Sequence, residues 1–192
     1  MANEDIQGKI IKAAMTLAAS RGWAEATLRD IAEEAGLSLA ALHTHALDKT
    51  DILVMLGRRI DARVLESATQ SGEDDSAHDR LFDVLMERYE ILNDYRAGLV
   101  AVLNSFTLDP KQAVISLPHL CRSMTWMMEA AGIDTGGITG AAKLAGVTAV
   151  YLKVLKTWCG DESADLSATM AALDKDLGRA EKLASMIGLV AA

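Results

Sequence analysis

Few side chains in this chain are spaced for chemistry, and most chemistries drop out at once. His43 and His45 form an H-x-H pair. Two residues apart on a helix, they point about 200° from each other, so no single metal ion on one face takes both. Cys121 and Cys159 sit in apolar helical stretches without paired metal spacing, and read as buried free thiols in a reducing compartment. No nucleophile elbow, phosphate-cradling glycine loop or H-E-x-x-H occurs. Gly136, Gly137 and Gly140 mark a loop and a helix start, since no strand precedes them. Nothing here argues for catalysis, a metal or a cofactor. The informative stretch is residues 27–53, TLRDIAEEAGLSLAALHTHALDKTDIL.

That stretch reads as two short helices joined by a tight turn, with a third helix starting behind them. Thr27 caps the first, and Asp30 three residues on completes a capping box. Ile31, Ala32 and Ala35 give it an apolar side, and Gly36 supplies the left-handed residue that stops it. Leu37 packs inward across the turn. Ser38 caps a second helix with apolar Leu39, Ala41 and Leu42. Helix, glycine turn and serine-capped helix is the spacing of a DNA-reading helix-turn-helix. An αα-hairpin used only for packing has the same A-x-x-A-G-L-S core.

The elements around it must position this unit. The 192 residues are 51% hydrophobic but only 4% aromatic, with two prolines, which favours an all-α protein. The length suits one ordinary domain, or a small domain fused to a larger one. Residues 4–21 form a first helix with Ile6, Ile10, Ala13, Ala14, Leu17 and Ala18 on one face. Trp23 follows and folds over the base of the small bundle. Asp48 caps a long helix whose stripe of Ile52, Leu53, Leu56, Ile60, Val64 and Leu65 outlasts a three-helix bundle and enters a second domain. Residues 71–76, SGEDDS, break the chain, with Asp75 or Ser76 capping a helix striped by Leu81, Phe82, Leu85, Met86, Tyr89 and Leu92. A shorter helix spans 96–106, Thr107 to Pro110 ends it, and Leu117 and Pro118 open the next. Two last helices cover roughly 137–159 and 165–186, joined by the acidic turn GDESAD. The domains expected are 1–48, a linking helix over 49–70, and 71–192.

Charge cuts across the DNA reading. The chain carries a formal −8, where a protein devoted to phosphate should be basic. A regulator with one small reading end is compatible with an acidic whole. The N-terminus lacks a basic start followed by an apolar core, so no secretory signal is expected. The longest apolar stretch, Ile138 to Cys159, is broken by Lys143, Lys153 and Lys156 and reads as a buried core helix, not a membrane span. A soluble cytoplasmic protein is expected.

Residues 6 to 65 resemble the DNA-binding domain of the tetracycline-repressor (TetR) family of bacterial regulators. The resemblance rests on I-x-x-A-A-x-x-L-x-x-x-x-G in the first helix, then Thr27, Ile31, Ala32, Ala35-Gly36-Leu37-Ser38, and Lys49 with Leu53 behind it. It implies an all-helical homodimer with a three-helix DNA-binding domain, and a larger C-terminal helical domain for ligand binding and dimerisation. It also implies a repressor released from double-stranded DNA by a small hydrophobic effector. Carried onto this chain, it makes Thr27, Arg29 and Lys49 phosphate contacts. Ser38, Ala40, Ala41, His43, Thr44 and His45 would face the major groove. The departures are Leu39 for a basic or polar residue, His43 for tyrosine and Ala46 for phenylalanine, so the reading helix has no lysine or arginine. Residues 1–66 hold eight basic against ten acidic side chains.

In the C-terminal half, Met86, Tyr89, His119, Met124, Met127, Met128 and Tyr151 are candidates for an apolar pocket, with Trp126 and Trp158 beside them. An ordinary helical core uses the same stripes. Gly140, Ala141, Ala142, Ala145, Gly146 and Ala149 make a small-residue region on the penultimate helix, and Leu166, Met170, Leu173, Leu177 and Leu183 mark the last. The resemblance makes these two helices the homodimer contact, against packing within one chain. A second resemblance runs through Trp158, Asp161, Ser163, Asp165, Thr169, Leu173-Asp174 and Leu177. It is to the TetR-fold lipid-binding accessory proteins of ubiquinone biosynthesis. It implies, as an alternative, a lipid- or isoprenoid-binding protein that no longer binds DNA. The tail ASMIGLVAA has no basic face for docking on a membrane.

Overall fold

The computed structural model describes residues 2–68, 76–108 and 110–186, with the side chains of residues 2–5, 108 and 110 outside the described set. The described residues are helical and contain no strand. The helices are α1 (Ala2–Arg21), α2 (Leu28–Glu34), α3 (Leu39–His43), α4 (Lys49–Ala68), α5 (Ala77–Leu92), α6 (Arg96–Leu108), α7 (Pro110–Ala130), α8 (Gly137–Gly160) and α9 (Ser167–Met186). One 3-10 turn, Asn93–Tyr95, separates α5 from α6. The chain divides into two compact units, Met1–Arg59 with Leu92–Pro118, and Ile60–Ile91 with His119–Ala192.

In the first unit, α1 buries Ile10, Ile11, Ala13, Ala14, Leu17 and Ala18. Its partners are α2, with Ile31 and Ala32 buried, and α6. The α1–α6 approach depends on Gly98, where an added Cβ would lie 2.6 Å from the Met15 carbonyl oxygen. In the second unit Leu81, Leu85, Tyr89, Met124, Met127, Met128, Val154, Trp158 and Leu173 are buried, and α8 packs along α9. Asp161 joins those two helices. Its Oδ1 accepts from the Ser163 amide at 3.1 Å, and its Oδ2 from the Thr169 amide and hydroxyl at 2.8 and 2.7 Å. One carboxylate thus ends α8 and starts α9.

Three expectations change. A helix does not open at Leu117–Pro118: α7 begins at Pro110, and Pro118 lies inside it. Pro110 takes the first position, where a missing N–H costs nothing, and its constraint starts the helix earlier. The stretch from Ile138 to Cys159 is helical as expected but not a buried core helix. It is long and apolar enough to cross a membrane, and only 28% of its most apolar window is buried. Its small residues leave Ala141, Ala142, Ala145, Ala149 and Leu152 exposed. Trp126, grouped with the pocket candidates, is 54% exposed because it lies on the outer face of α7. The 71–75 part of the acidic break and the tail beyond Met186 lie outside the described residues; Ser76 does cap α5, accepting from the Asp79 amide at 3.1 Å.

Candidate nucleic-acid interface

Hydrogen bonds fix the expected helix-turn-helix. The Thr27 hydroxyl accepts from the Asp30 amide at 3.1 Å, and the Asp30 carboxylate accepts from the Thr27 amide at 2.9 Å and hydroxyl at 2.6 Å. These bonds hold the Asp30 carboxyl below the usual range, with Arg21 3.5 Å away assisting. Gly36 has a φ of 68°, the left-handed turn that ends α2. The Leu37 amide bonds the Ala32 carbonyl at 2.8 Å as the chain reverses. Ser38 caps α3, accepting from the Ala41 amide at 3.1 Å. Leu42 and Ala46 are buried, so the opposite face of α3 is the one left to solvent.

The proposed contact residues separate by what their donors already do. Ala40, His43 and Thr44 are exposed, and Ala41 and His45 half-buried. The Thr44 hydroxyl donates back to the Ala41 carbonyl at 2.8 Å. Thr27 has its amide and hydroxyl committed to Asp30. Lys49 is turned inward: its ammonium donates to the carbonyls of Trp23, Ala26 and Ala24 at 2.5, 2.9 and 3.4 Å and lies 4.8 Å from the Trp23 ring centroid. Burial lowers its pKa, against a smaller opposing pull from Glu25. In this conformation neither Thr27 nor Lys49 offers a phosphate a donor without breaking an internal bond. Arg29 is exposed on α2 with no hydrogen bond among the described residues.

Beside α3 runs a groove of about 380 Å³ that sequence reasoning missed. Leu28, Leu39, Leu42, Ala46 and Leu47 make its apolar walls, and Thr27, Arg29 and His43 its polar part. Leu39 is 46% and Leu47 70% exposed. The signal was present in the small Ala46 and in two leucines off the buried face.

The pocket candidates fall in the second unit. Met86, Tyr89, Met124, Met127, Met128 and Tyr151 are buried there. Tyr89 and Tyr151 stack with centroids 5.1 Å apart, and the Tyr89 hydroxyl donates to the Tyr151 carbonyl at 2.8 Å. Burial pushes the Tyr89 hydroxyl pKa well up. His119 is half-buried, and its Nδ1 is a buried polar atom with no hydrogen-bond partner. Sequence reasoning missed the polar cluster beside them. Arg88 is buried, donates to the Asp61 carboxylate and bonds the Tyr151 hydroxyl through Nε at 3.1 Å. Ser123 also donates to Asp61, at 2.5 Å. Burial opposes the Arg88 charge, but Tyr151 and Asp61 outweigh it and hold the guanidinium ionised. Arg88 falls on the buried spacing of Leu81, Leu85 and Leu92, which is the mark sequence reading passed over. Among the described residues no group of three or more His, Cys, Asp or Glu is placed to hold a metal.

Residues 10–56 match the family model described as bacterial regulatory proteins, tetR family. No curated protein matches the chain. Solved structures do. A TetR transcriptional regulator from Nitrosomonas europaea ATCC 19718 is 24% identical with a TM-score of 0.72, over 92% of this chain and 98% of that one. A TetR transcriptional regulator from Rhodococcus sp. RHA1 is 19% identical with a TM-score of 0.68, over 94% and 97%. The described fold is the one these regulators have, with an N-terminal helix-turn-helix and a larger helical remainder.

Proposed function

We propose, from an N-terminal domain that matches the tetR family and a chain with the fold of TetR regulators, that this protein binds double-stranded DNA as a homodimer in the cytoplasm and represses transcription. The observation that carries the reading is the capped, solvent-facing α3. Thr27–Asp30, Gly36 and Ser38 hold it rigidly, while Ala40, His43 and Thr44 on its outer side touch nothing that hides them. Arg29 supplies a cation at the groove beside that helix.

Dimerisation is supported by α8. Ile138, Ala142, Ala145, Ala149 and Leu152 form an exposed apolar stripe, and Ile138 is 91% exposed. Met170, Leu183 and Met186 of α9 are exposed as well. A second copy covering these faces as a four-helix contact would remove that apolar surface from water. Such a homodimer carries two reading helices, as an operator of two half-sites requires. The effector of this reading is a small apolar molecule bound in the second unit, where Met86, Tyr89, Met124, Met127, Met128 and Tyr151 are buried and the His119 Nδ1 has no hydrogen-bond partner. Helix α4 is continuous from Lys49 to Ala68 and has residues in both units, and effector binding in the second unit weakens DNA binding by the first in this reading.

The test is a gel shift with DNA flanking the protein's own gene, at low and moderate salt. A specific complex weakened by Arg29→Ala supports the reading. Absence of any specific complex at low salt, with lipid co-purifying by mass spectrometry, overturns it.

A further inference from the structure

The groove beside α3 raises the question of what an apolar face reads in a major groove. Base edges there present hydrogen-bond donors and acceptors, and a single apolar group, the thymine 5-methyl. The outer face of this reading head is poor in the first kind of partner. Thr44 spends its hydroxyl proton on the Ala41 carbonyl, while Ser38 uses one lone pair on the Ala41 amide and keeps its own proton. Ala40 has no polar side-chain atom. His43 is the one exposed ring on α3. The same face is rich in apolar surface: Leu39 and Leu47 stand out from it, with Leu28, Leu42 and Ala46 walling the groove between.

We propose that this face selects thymine by its 5-methyl groups, with Leu39 and Leu47 as the specificity-determining residues, and that Arg29 holds the phosphate beside the groove. This rests on the DNA-binding reading above. A thymine methyl entering the groove leaves water for an apolar wall. Cytosine offers only a C5–H at that place, and a purine offers the polar N7, so either leaves the leucines without the apolar partner that the thymine methyl supplies. The operator is therefore A·T-rich where α3 lies, with thymines on the strand facing Leu39 and Leu47. Arg29 is at the polar rim of the groove, so a neighbouring phosphate and a methyl are engaged together.

Deoxyuridine tests this directly, because it keeps the base pairing and edge hydrogen bonds of thymidine and lacks only the methyl. The duplex that the full-length protein selects from a random pool is synthesised with thymidine and, at each position in turn, with deoxyuridine, and affinity is read by fluorescence anisotropy. Each contacted methyl is expected to be worth about fourfold in affinity, the transfer value of one buried carbon. In Leu39→Ala and Leu47→Ala, both exposed positions, the thymine-to-uracil ratio should fall toward one. Equal affinity for the two duplexes overturns the methyl reading and leaves DNA binding standing. Selection of no sequence at all overturns the DNA reading, and this proposal with it.

Discussion

Lys49 is held against Trp23: its ammonium sits 4.8 Å from the indole centroid and donates to the Trp23 and Ala26 carbonyls. A lysine at the start of α4 thus ties that helix to the loop between α1 and α2. Lys49→Met should cost about 2 kcal/mol of stability, the usual scale for hydrogen bonds to a charged group. Urea denaturation measures it. DNA affinity well below the melting temperature should fall less than in Arg29→Ala. Unchanged stability with lost DNA affinity would return Lys49 to the phosphate backbone.

The Asp61–Arg88 pair predicts a different pattern. Removing one partner leaves a buried charge alone, so Asp61→Leu or Arg88→Met should each lose about 3–5 kcal/mol. The double variant Asp61→Leu, Arg88→Met leaves no charge behind and should be more stable than either single one. Thermal unfolding of the three decides it. Additive losses would mean that the two side chains act independently.

Asp161 makes stability depend on pH. Burial raises its pKa, but the hydrogen bonds from Ser163 and Thr169 outweigh that and leave the carboxyl far below its ordinary value. A carboxyl with a folded pKa below its unfolded value of about 3.9 stabilises the fold fully above about pH 5. That contribution is lost as the pH falls toward the depressed folded pKa. Asp161→Asn should therefore be less stable than the natural chain at pH 7 by about 1–3 kcal/mol, because the charge-assisted bonds are lost and its Nδ2–H2 cannot accept from Thr169. The gap should narrow on acidification. A constant gap from pH 7 to 3 would assign the loss to packing and not to charge.

Local chemistry made the helix-turn-helix legible in the sequence. The Thr27–Asp30 box, the positive φ of Gly36 and the Ser38 cap each depend on residues within three or four positions. What the sequence hid was set across distance. A lysine at position 49 reads as a phosphate contact until the loop carbonyls of Trp23 and Ala26 are placed beneath it. The close seat of α6 on α1 needs Gly98 against the Met15 backbone, and periodicity does not reveal that approach. Of the second resemblance's residues Trp158, Asp161, Ser163, Asp165, Thr169, Leu173-Asp174 and Leu177, the sequence did not show that Asp161, Ser163 and Thr169 form the α8–α9 cap, with Trp158, Leu173 and Leu177 buried. Pro118 misled because a proline in a first turn and one inside a long helix look alike without the start of α7.

The central claim, that a reading head almost without free cations still selects a DNA sequence, is tested most directly by salt. Affinity for the selected duplex and for a scrambled one is measured by anisotropy from about 50 to 200 mM salt, for the natural chain and Arg29→Ala. Each phosphate contact contributes roughly −0.9 to the slope of log affinity against log salt. The account predicts preference for the selected duplex throughout, and a slope reduced by about 2 in Arg29→Ala, one contact from each protomer. Equal affinity for both duplexes, or a slope that Arg29→Ala leaves unchanged, contradicts it.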